Sequence, residues 1–178
     1  MGRVQPGDVI RARQLPTVTG APVRIPDREG LVHLQFRRYA GCPICTLHLR
    51  EFAARLDELA AAKVREVVVF HSDRAQLLAY GSGLSFDLVP DPGRELYREF
   101  GVERSWRSLA NPVTWLAAAR GWSRRTRLRA GAGGHFGLPA DFLIGLDGRV
   151  VAVNYGRHAS DHWNVDDVIV QAQRSTAT

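Results

Sequence analysis

Lysine is all but missing from this chain: Lys63 stands alone among 24 basic residues, and the rest are arginine. So uniform a bias reads as a coding preference, although arginine does favour rigid, directional ion pairs. Cysteine is also scarce, with two in 178 residues. Two cannot build a disulfide framework or a four-cysteine zinc site, and no histidine stands at a common zinc spacing to complete a mixed one. No apolar run is long enough to cross hydrocarbon as a helix. Met1 to Arg13 hold no apolar core of signal-peptide length, and Asp8 interrupts them. The expectation is a cytoplasmic protein with no membrane partner. Repeats and low-complexity tracts are absent. Gly131-Ala132-Gly133-Gly134 lacks the lysine and the helix start of a nucleotide-binding loop. The length suits one domain, 1–178, with a full hydrophobic core.

What is present centres on Gly30 to Ala62. Leu31-Val32-His33-Leu34-Gln35-Phe36 is rich in apolar and β-prone residues and predicts a largely buried strand. Leu47, Leu49, Phe52, Leu56 and Leu59 then recur three or four apart with charged residues between them, which predicts a helix with one apolar face. Gly41-Cys42-Pro43-Ile44-Cys45 falls between the two. Glu66 to Phe70 reads as a second buried strand, so 31–70 forms a β-α-β unit with parallel pairing.

Elsewhere, Val9–Arg13 and Pro22–Ile25 predict an N-terminal hairpin. Ser72 or Asp73 caps a helix through Ala79, and Ser85–Val89 is a short strand stopped by Pro90. A helix from Asp91 or Pro92 ends at Gly101. Asp141–Ile144 and Arg149–Asn154 are strands joined by the turn signal Asp147-Gly148. The last helix begins after Asn164 and frays from Ser175. The fold class expected is α/β, a central mixed sheet covered by helices. Between Gly101 and His135 this alternation breaks into a helical insertion, at about 103–135, starting at Asn111-Pro112. Seven arginines against one acid there account for the whole formal excess charge of +6. Trp106, Trp115 and Trp122 accompany them, the aromatic interleaving of a single-strand binder. No nucleic-acid module accompanies them. The expectation is no nucleic-acid partner, and a solvated arm or a contact with a partner or second copy, as in a homodimer.

Two cysteines three positions apart in a reducing compartment point to redox chemistry. The first turn of a helix offers unpaired N–H groups and the positive end of the dipole, which favour a thiolate. Cys42, just outside that turn, is expected to be the better exposed and the attacking group. Cys45, one turn in, is placed to close a disulfide or resolve a mixed one. Pro43 suits the first helical position. Two buried cysteines without chemistry remain the bland reading.

The stretch Phe36 to Arg50 resembles the active-site segment of peroxiredoxin-like proteins of the AhpC/TSA group, within the thioredoxin-fold superfamily. Gly137 to Ile144 with Asp147-Gly148-Arg149-Val150 is similar to the loop and hairpin in which thioredoxin-fold proteins carry a cis-proline. The similarity covers about 31–100 and 135–173. It implies a thioredoxin-like fold, with Cys42 in the peroxidatic or first-cysteine position and Cys45 in the second. It also implies that Pro139 is the cis-proline near Cys42, with Leu138 presenting its backbone to a bound thiol partner. Where typical peroxiredoxins have the Thr and Pro of Pro-x-x-x-Thr-x-x-Cys, this chain has Tyr39 and Gln35, and the Tyr39 hydroxyl can donate and accept. Arg37, Arg38 and Arg107 are candidates by charge for the arginine that activates the thiolate.

The resulting expectation is a thiol-dependent oxidoreductase that reduces a hydroperoxide or exchanges thiols with a protein or small-molecule disulfide. An external thiol reductant such as a thioredoxin-like protein restores it, and no cofactor or metal is needed. Cys42 and Cys45 are the catalytic candidates, supported by Tyr39, Gly41, Pro43, Leu138, Pro139, Arg37 and Arg38. The alternative from another class is a non-catalytic redoxin-fold redox sensor or partner-binding protein. His48, three residues beyond Cys45, is expected to be a surface or interface histidine, electrostatic tuning of the thiols being the alternative. His158 and His162, four apart, are expected to lie in a loop and cap region beside a core-packed Trp163, a metal role from a shared helix face being the alternative. His135 and Phe136 are expected to line the cleft.

Overall fold

The computed structural model describes residues 2–81, 84–102, 138–158 and 160–176. The helical insertion expected at 103–135 therefore lies outside the described residues, with Arg107, His135 and Phe136. In chain order the elements are β1 (Arg13–Leu15), β2 (Val23–Ile25), β3 (Leu31–Arg37), α1 (Pro43–Ala54), α2 (Leu56–Ala61) and β4 (Val64–Phe70). Then come α3 (Arg74–Tyr80), β5 (Asp87–Pro90), α4 (Glu95–Glu99), β6 (Ala140–Ile144), β7 (Val150–Tyr155) and α5 (Val165–Thr176). Among the described residues no helix is long and apolar enough to cross a membrane.

β3 to β7 form one mixed sheet in the order β5-β4-β3-β6-β7, with β3, β4 and β5 parallel and β6 and β7 antiparallel to their neighbours. β1 and β2 pair in a separate antiparallel ribbon. This is the mixed α/β sheet that the sequence predicts. The hairpin forms later than its sequence signal, because Val9 bridges Arg149 and the Ile10 N–H donates to the Gly148 carbonyl. Residues 8–10 thus belong beside the β6–β7 turn.

The two faces of the sheet differ in chemistry. Side chains alternate along a strand, so Val32, Leu34 and Phe36 point one way. They join Val67, Val69, Phe142 and Ile144 in a core completed by Val23, Ile25, Tyr97 and Phe100. On the other face, Leu31, Phe52, Leu59, Leu143, Val165 and Val168 make one apolar cluster, and Leu49, Val68, Phe70 and Leu77 another. His33, Gln35, Arg37, Glu66 and Asp141 share this face and are all buried. A parallel sheet covered on both sides usually carries near-continuous apolar strands. Here a polar stripe crosses its centre.

Helix ends follow their sequence signals. The Asp73 carboxylate accepts the Gln76 N–H at 2.8 Å and caps α3. Asp91 accepts the N–H groups of Glu95 and Leu96, both at 2.9 Å, at the start of α4, and Gly101 follows in the left-handed region. Asn164 and Asp167 cap α5 reciprocally, each side chain taking the other's N–H. That helix continues to Thr176, past the fraying expected at Ser175. The single helix predicted to Ala62 is instead interrupted at Arg55. There the N–H turns back to the Phe52 carbonyl, and the guanidinium ties Glu58 and Asp166 together. α2 restarts with Asp57 and Glu58 in its first turn, where acids suit the helix dipole. Leu49, Phe52 and Leu59 are buried as the periodicity requires, but Leu47 is 62% exposed.

The stripe carries its own charge balance. His33 Nδ1 lies 2.8 Å from Glu66 Oε1, and its Nε2 lies 3.5 Å from Asp141 Oδ1. Burial opposes its protonation, but Glu66 and Asp141 outweigh that and raise its pKa to about 9. Because the folded pKa is raised, the stabilisation is complete below pH 6.5, the ordinary histidine value, and is lost as pH rises through about 9. Urea unfolding should therefore show stability falling across this window, and His33→Gln should flatten that slope. A slope unchanged by the substitution would contradict a charged His33.

Candidate functional site

β3 ends at Arg37, and the five residues after it form a loop held against the end of β4. The Tyr97 hydroxyl donates to the Arg37 carbonyl and lies 3.0 Å from that of Val69, bridging the two strand ends. The His71 N–H donates to the Arg38 carbonyl at 3.3 Å, and the Ala40 N–H to Ser72 Oγ at 2.9 Å. Gly41, with φ of 87°, turns the chain, and the Cys42 N–H closes back on the Tyr39 carbonyl at 3.2 Å. A left-handed φ at this point is what glycine permits. Cys42 is then the N-cap of α1, in extended conformation, with Pro43 beginning the helix. Its carbonyl accepts both the N–H and the hydroxyl of Thr46 at 2.9 Å, and Thr46 meets the Tyr80 hydroxyl at 3.0 Å.

Both cysteines are free. Cys42 is 1% exposed and Cys45 4%, so the expected greater exposure of Cys42 does not hold. The loop tucks the N-cap sulfur inward, below the surface. The Cys45 thiol is hydrogen bonded to the Cys42 sulfur, and that contact, followed by burial, pushes its pKa well up. The Arg38 backbone N–H and the Arg37 charge pull the other way. Tyr39 is half-buried, 5.8 Å from ring centroid to the Arg38 guanidinium carbon. Burial, then the neighbouring Cys42, raises its pKa, so it stays a protonated donor.

Arg37 is fully buried beneath α1. Nη2 donates to Asp141 Oδ1 at 2.6 Å and to His48 Nε2 at 2.8 Å, and Nε donates to Gln35 Oε1 at 2.9 Å. Gln35 Nε2 passes the chain on to Glu66 Oε2 at 2.5 Å. A guanidinium only donates, so His48 Nε2 accepts and its proton sits on Nδ1. Burial and then Arg37 drive the His48 pKa far down. His48 is thus an interior residue, not the surface histidine that its position suggests. His162 packs on it with ring centroids 3.8 Å apart, and burial and then Arg37 lower the His162 pKa to about 4. His158 and His162 do not share a helix: both lie in irregular chain between β7 and α5. Trp163 packs on the core as expected, near His33.

Leu138 and Pro139 are buried just before β6, whose Ala140 is in register with Phe36. They therefore lie at the sheet end from which Arg37, Arg38 and the cysteine loop emerge. The cis-proline expectation does not hold. Among the described residues the cis peptide bond is Ile25–Pro26, and Leu138–Pro139 is not cis. Pro139 is instead fixed by β7: its carbonyl accepts the Gly156 N–H at 2.9 Å, and a Cβ on Gly156 would meet Pro139 Cγ at 2.7 Å and the Asp161 carbonyl at 2.4 Å. Trans is the ordinary state of such a bond.

Sequence reasoning passed over His33, Glu66 and Asp141 as site residues, although a charged or polar side chain inside each buried strand was the available signal.

The residue pattern around Cys42 and the fold together decide the family, because the sequence model of the AhpC/TSA family matches residues 6–153. The chain belongs to the AhpC/TSA family. It is accordingly a thiol-dependent oxidoreductase of the peroxiredoxin-like kind. Among curated proteins none matches it. Solved structures share its fold at low identity. The peroxidoxin BcpB of Mycobacterium tuberculosis is 19% identical, with 97% of this chain and 98% of that one covered and a TM-score of 0.72. Peroxiredoxin Q of Xanthomonas campestris is 17% identical over 91% and 90%, with a TM-score of 0.66. A Chlorobium tepidum protein assigned as the thiol:disulfide interchange protein DsbE is 18% identical over 98% of both chains, with a TM-score of 0.61.

In this AhpC/TSA chain the loop conformation rests on two glycines for different reasons. Gly41→Ala meets open space and only backbone strain, about 1–2 kcal/mol. Gly156→Ala drives a methyl into the Pro139 and Asp161 backbones, a clash of about 1–3 kcal/mol or more. Thermal unfolding should place both below the parent, and equal stability of Gly156→Ala and the parent would refute the close approach.

Proposed function

We propose that the chain reduces hydroperoxides, with Cys42 as the peroxidatic cysteine and Cys45 as the resolving one. The observation that carries this is the placement of the two sulfurs: Cys42 is the N-cap of α1, and Cys45 lies beside it in the first turn, both buried. The positive end of the helix dipole lies at Cys42, where it favours a thiolate. The Cys42 thiolate attacks the distal oxygen of ROOH, the O–O bond breaks, and the departing alkoxide takes a proton and leaves as ROH. Cys42 becomes a sulfenic acid. Cys45 then attacks the Cys42 sulfur, its proton leaves with the hydroxyl as water, and a Cys42–Cys45 disulfide forms. An external dithiol returns two electrons and restores the pair.

Tyr39, protonated and beside Cys42, is the donor we assign to the peroxide in place of a threonine hydroxyl. Gly41 and Pro43 shape the loop and the first turn, and Arg38 supplies its backbone N–H to Cys45. Leu138 and Pro139 act as a packed wall at this end of the sheet, with no claim on thiol-partner binding. The reductant we infer is a thioredoxin-like dithiol protein, and the compartment a reducing one such as the cytoplasm.

Stopped-flow oxidation by hydrogen peroxide tests this reading. The parent should react orders of magnitude faster than a small free thiol, and Cys42→Ser should abolish the reaction. Cys45→Ser should keep the fast first step but accumulate the sulfenic acid. Tyr39→Phe should slow the first step about tenfold, the loss of one hydrogen bond to a developing charge. A parent rate equal to a free thiol's would exclude the peroxidase and leave thiol–disulfide exchange as the better reading.

A further inference from the structure

The two sulfurs have different surroundings. Cys45 lies in the first turn of α1, three residues before His48, so their side chains share one face of the helix. His48 Nε2 takes its hydrogen from Arg37 Nη2, which brings the guanidinium to the face that carries Cys45. Arg37 is held there by Asp141 and Gln35 as well. The Arg38 backbone N–H donates to the Cys45 sulfur from the same strand end.

We propose that Arg37, aimed by Asp141 and His48, serves the second cysteine: it receives Cys45 as a thiolate whenever Cys42 is engaged as a sulfenic acid or in a disulfide with the reductant. This rests on the Cys42–Cys45 cycle proposed above. In the reduced protein the neighbouring Cys42 sulfur, with burial, raises the Cys45 pKa. Once Cys42 is capped, the raising effect of its charge is gone, while the Arg38 N–H and the Arg37 charge remain and favour the ionised form. The other ionisable groups around Cys45 do not compete. Tyr39 in the loop, Tyr80 on α3 and Tyr97 on α4 are all kept as neutral phenols, burial being the first cause for each. His48 is held neutral by burial and by Arg37 itself.

The arrangement orders the reductive half of the cycle. A thiolate of the reducing dithiol attacks the Cys42 sulfur and bonds to it. The Cys42–Cys45 bond breaks with its electron pair on Cys45, which departs as a thiolate favoured by the Arg37 charge. The second thiol of the reductant then displaces Cys42, leaving the reductant oxidised to its own disulfide, and a proton returns to Cys45 from the solvent. Asp141 and His48 act through Arg37 and are positioning residues.

The test reads Cys45 alone, by ultraviolet thiolate absorbance against pH in Cys42→Ala. Its titration should fall at least a full unit below that of Cys45 in the reduced parent, about a tenfold gain in thiolate. Adding Arg37→Gln or His48→Phe to Cys42→Ala should move the titration back up by a similar amount, whereas His48→Gln, which keeps an acceptor, should restore the low value. Circular dichroism confirms that each variant compared is folded, and the His48 pair decides the matter if Arg37→Gln unfolds. Folded double variants that titrate like Cys42→Ala would overturn the proposal, as would a Cys42→Ala titration equal to the parent's. Peroxide turnover does not enter this readout, so a chain inert to peroxide sinks the peroxidase reading without altering this result.

Discussion

The buried guanidinium of Arg37 is the constraint around which the covered face of the sheet is arranged. Two neighbouring strands answer it: Asp141 on β6 takes one hydrogen bond, and Glu66 on β4 balances it through Gln35. The charge of His33 completes the balance, so two cations and two carboxylates close on themselves without solvent. Such a cluster adds little net stability over an apolar core, because desolvation offsets the Coulombic gain. Removing one member, however, costs about 3–5 kcal/mol. Its effect is specificity. The apolar clusters on either side are tolerant of sliding, but Asp141 must face Gln35 in register for the chain of hydrogen bonds to exist.

The same interaction links packing to chemistry. α1 sits on the sheet through Leu49 and Phe52, and its polar contact is His48 on Arg37. The helix that presents the cysteines is thus docked by an imidazole that stays neutral because it is buried and an arginine lies against it. From the loop side, Tyr97 and Ser72 pin the backbone between Arg37 and Ala40. The dithiol is carried on a segment fixed at both ends, which is the preorganisation that a redox site on a helix N-terminus needs.

Most of the fold was legible from periodicity. The parallel β-α-β unit, the Asp147-Gly148 turn and the caps Asp73 and Asn164 each carry a local physical signal, and each forms. Features set by long-range contact were not legible. Val9 bonds across to Arg149, and Arg55, where the helix is interrupted, pairs with Asp166, partners distant in sequence. The site shows the same division. The cysteine spacing was plain, but whether Cys42 is exposed depends on how the loop packs. A cis Pro139 was implied by the family resemblance, whereas the bond is not cis and Gly156, just after β7, closes on its carbonyl. His48 looked like a surface residue because a helix alone does not say which face a strand arginine will meet. Polar letters inside apolar strands, His33, Glu66 and Asp141, were the one unread local signal.

The central claim is that Cys42 and Cys45 form one catalytic dithiol in which a single oxidation closes a bond between them. Intact-mass measurement after one equivalent of hydrogen peroxide tests it most directly. The account predicts a chain lighter by two hydrogen atoms, with both cysteines blocked to alkylation and restored by a dithiol. A chain that instead gains oxygen on one cysteine and leaves the other free to alkylate would contradict it.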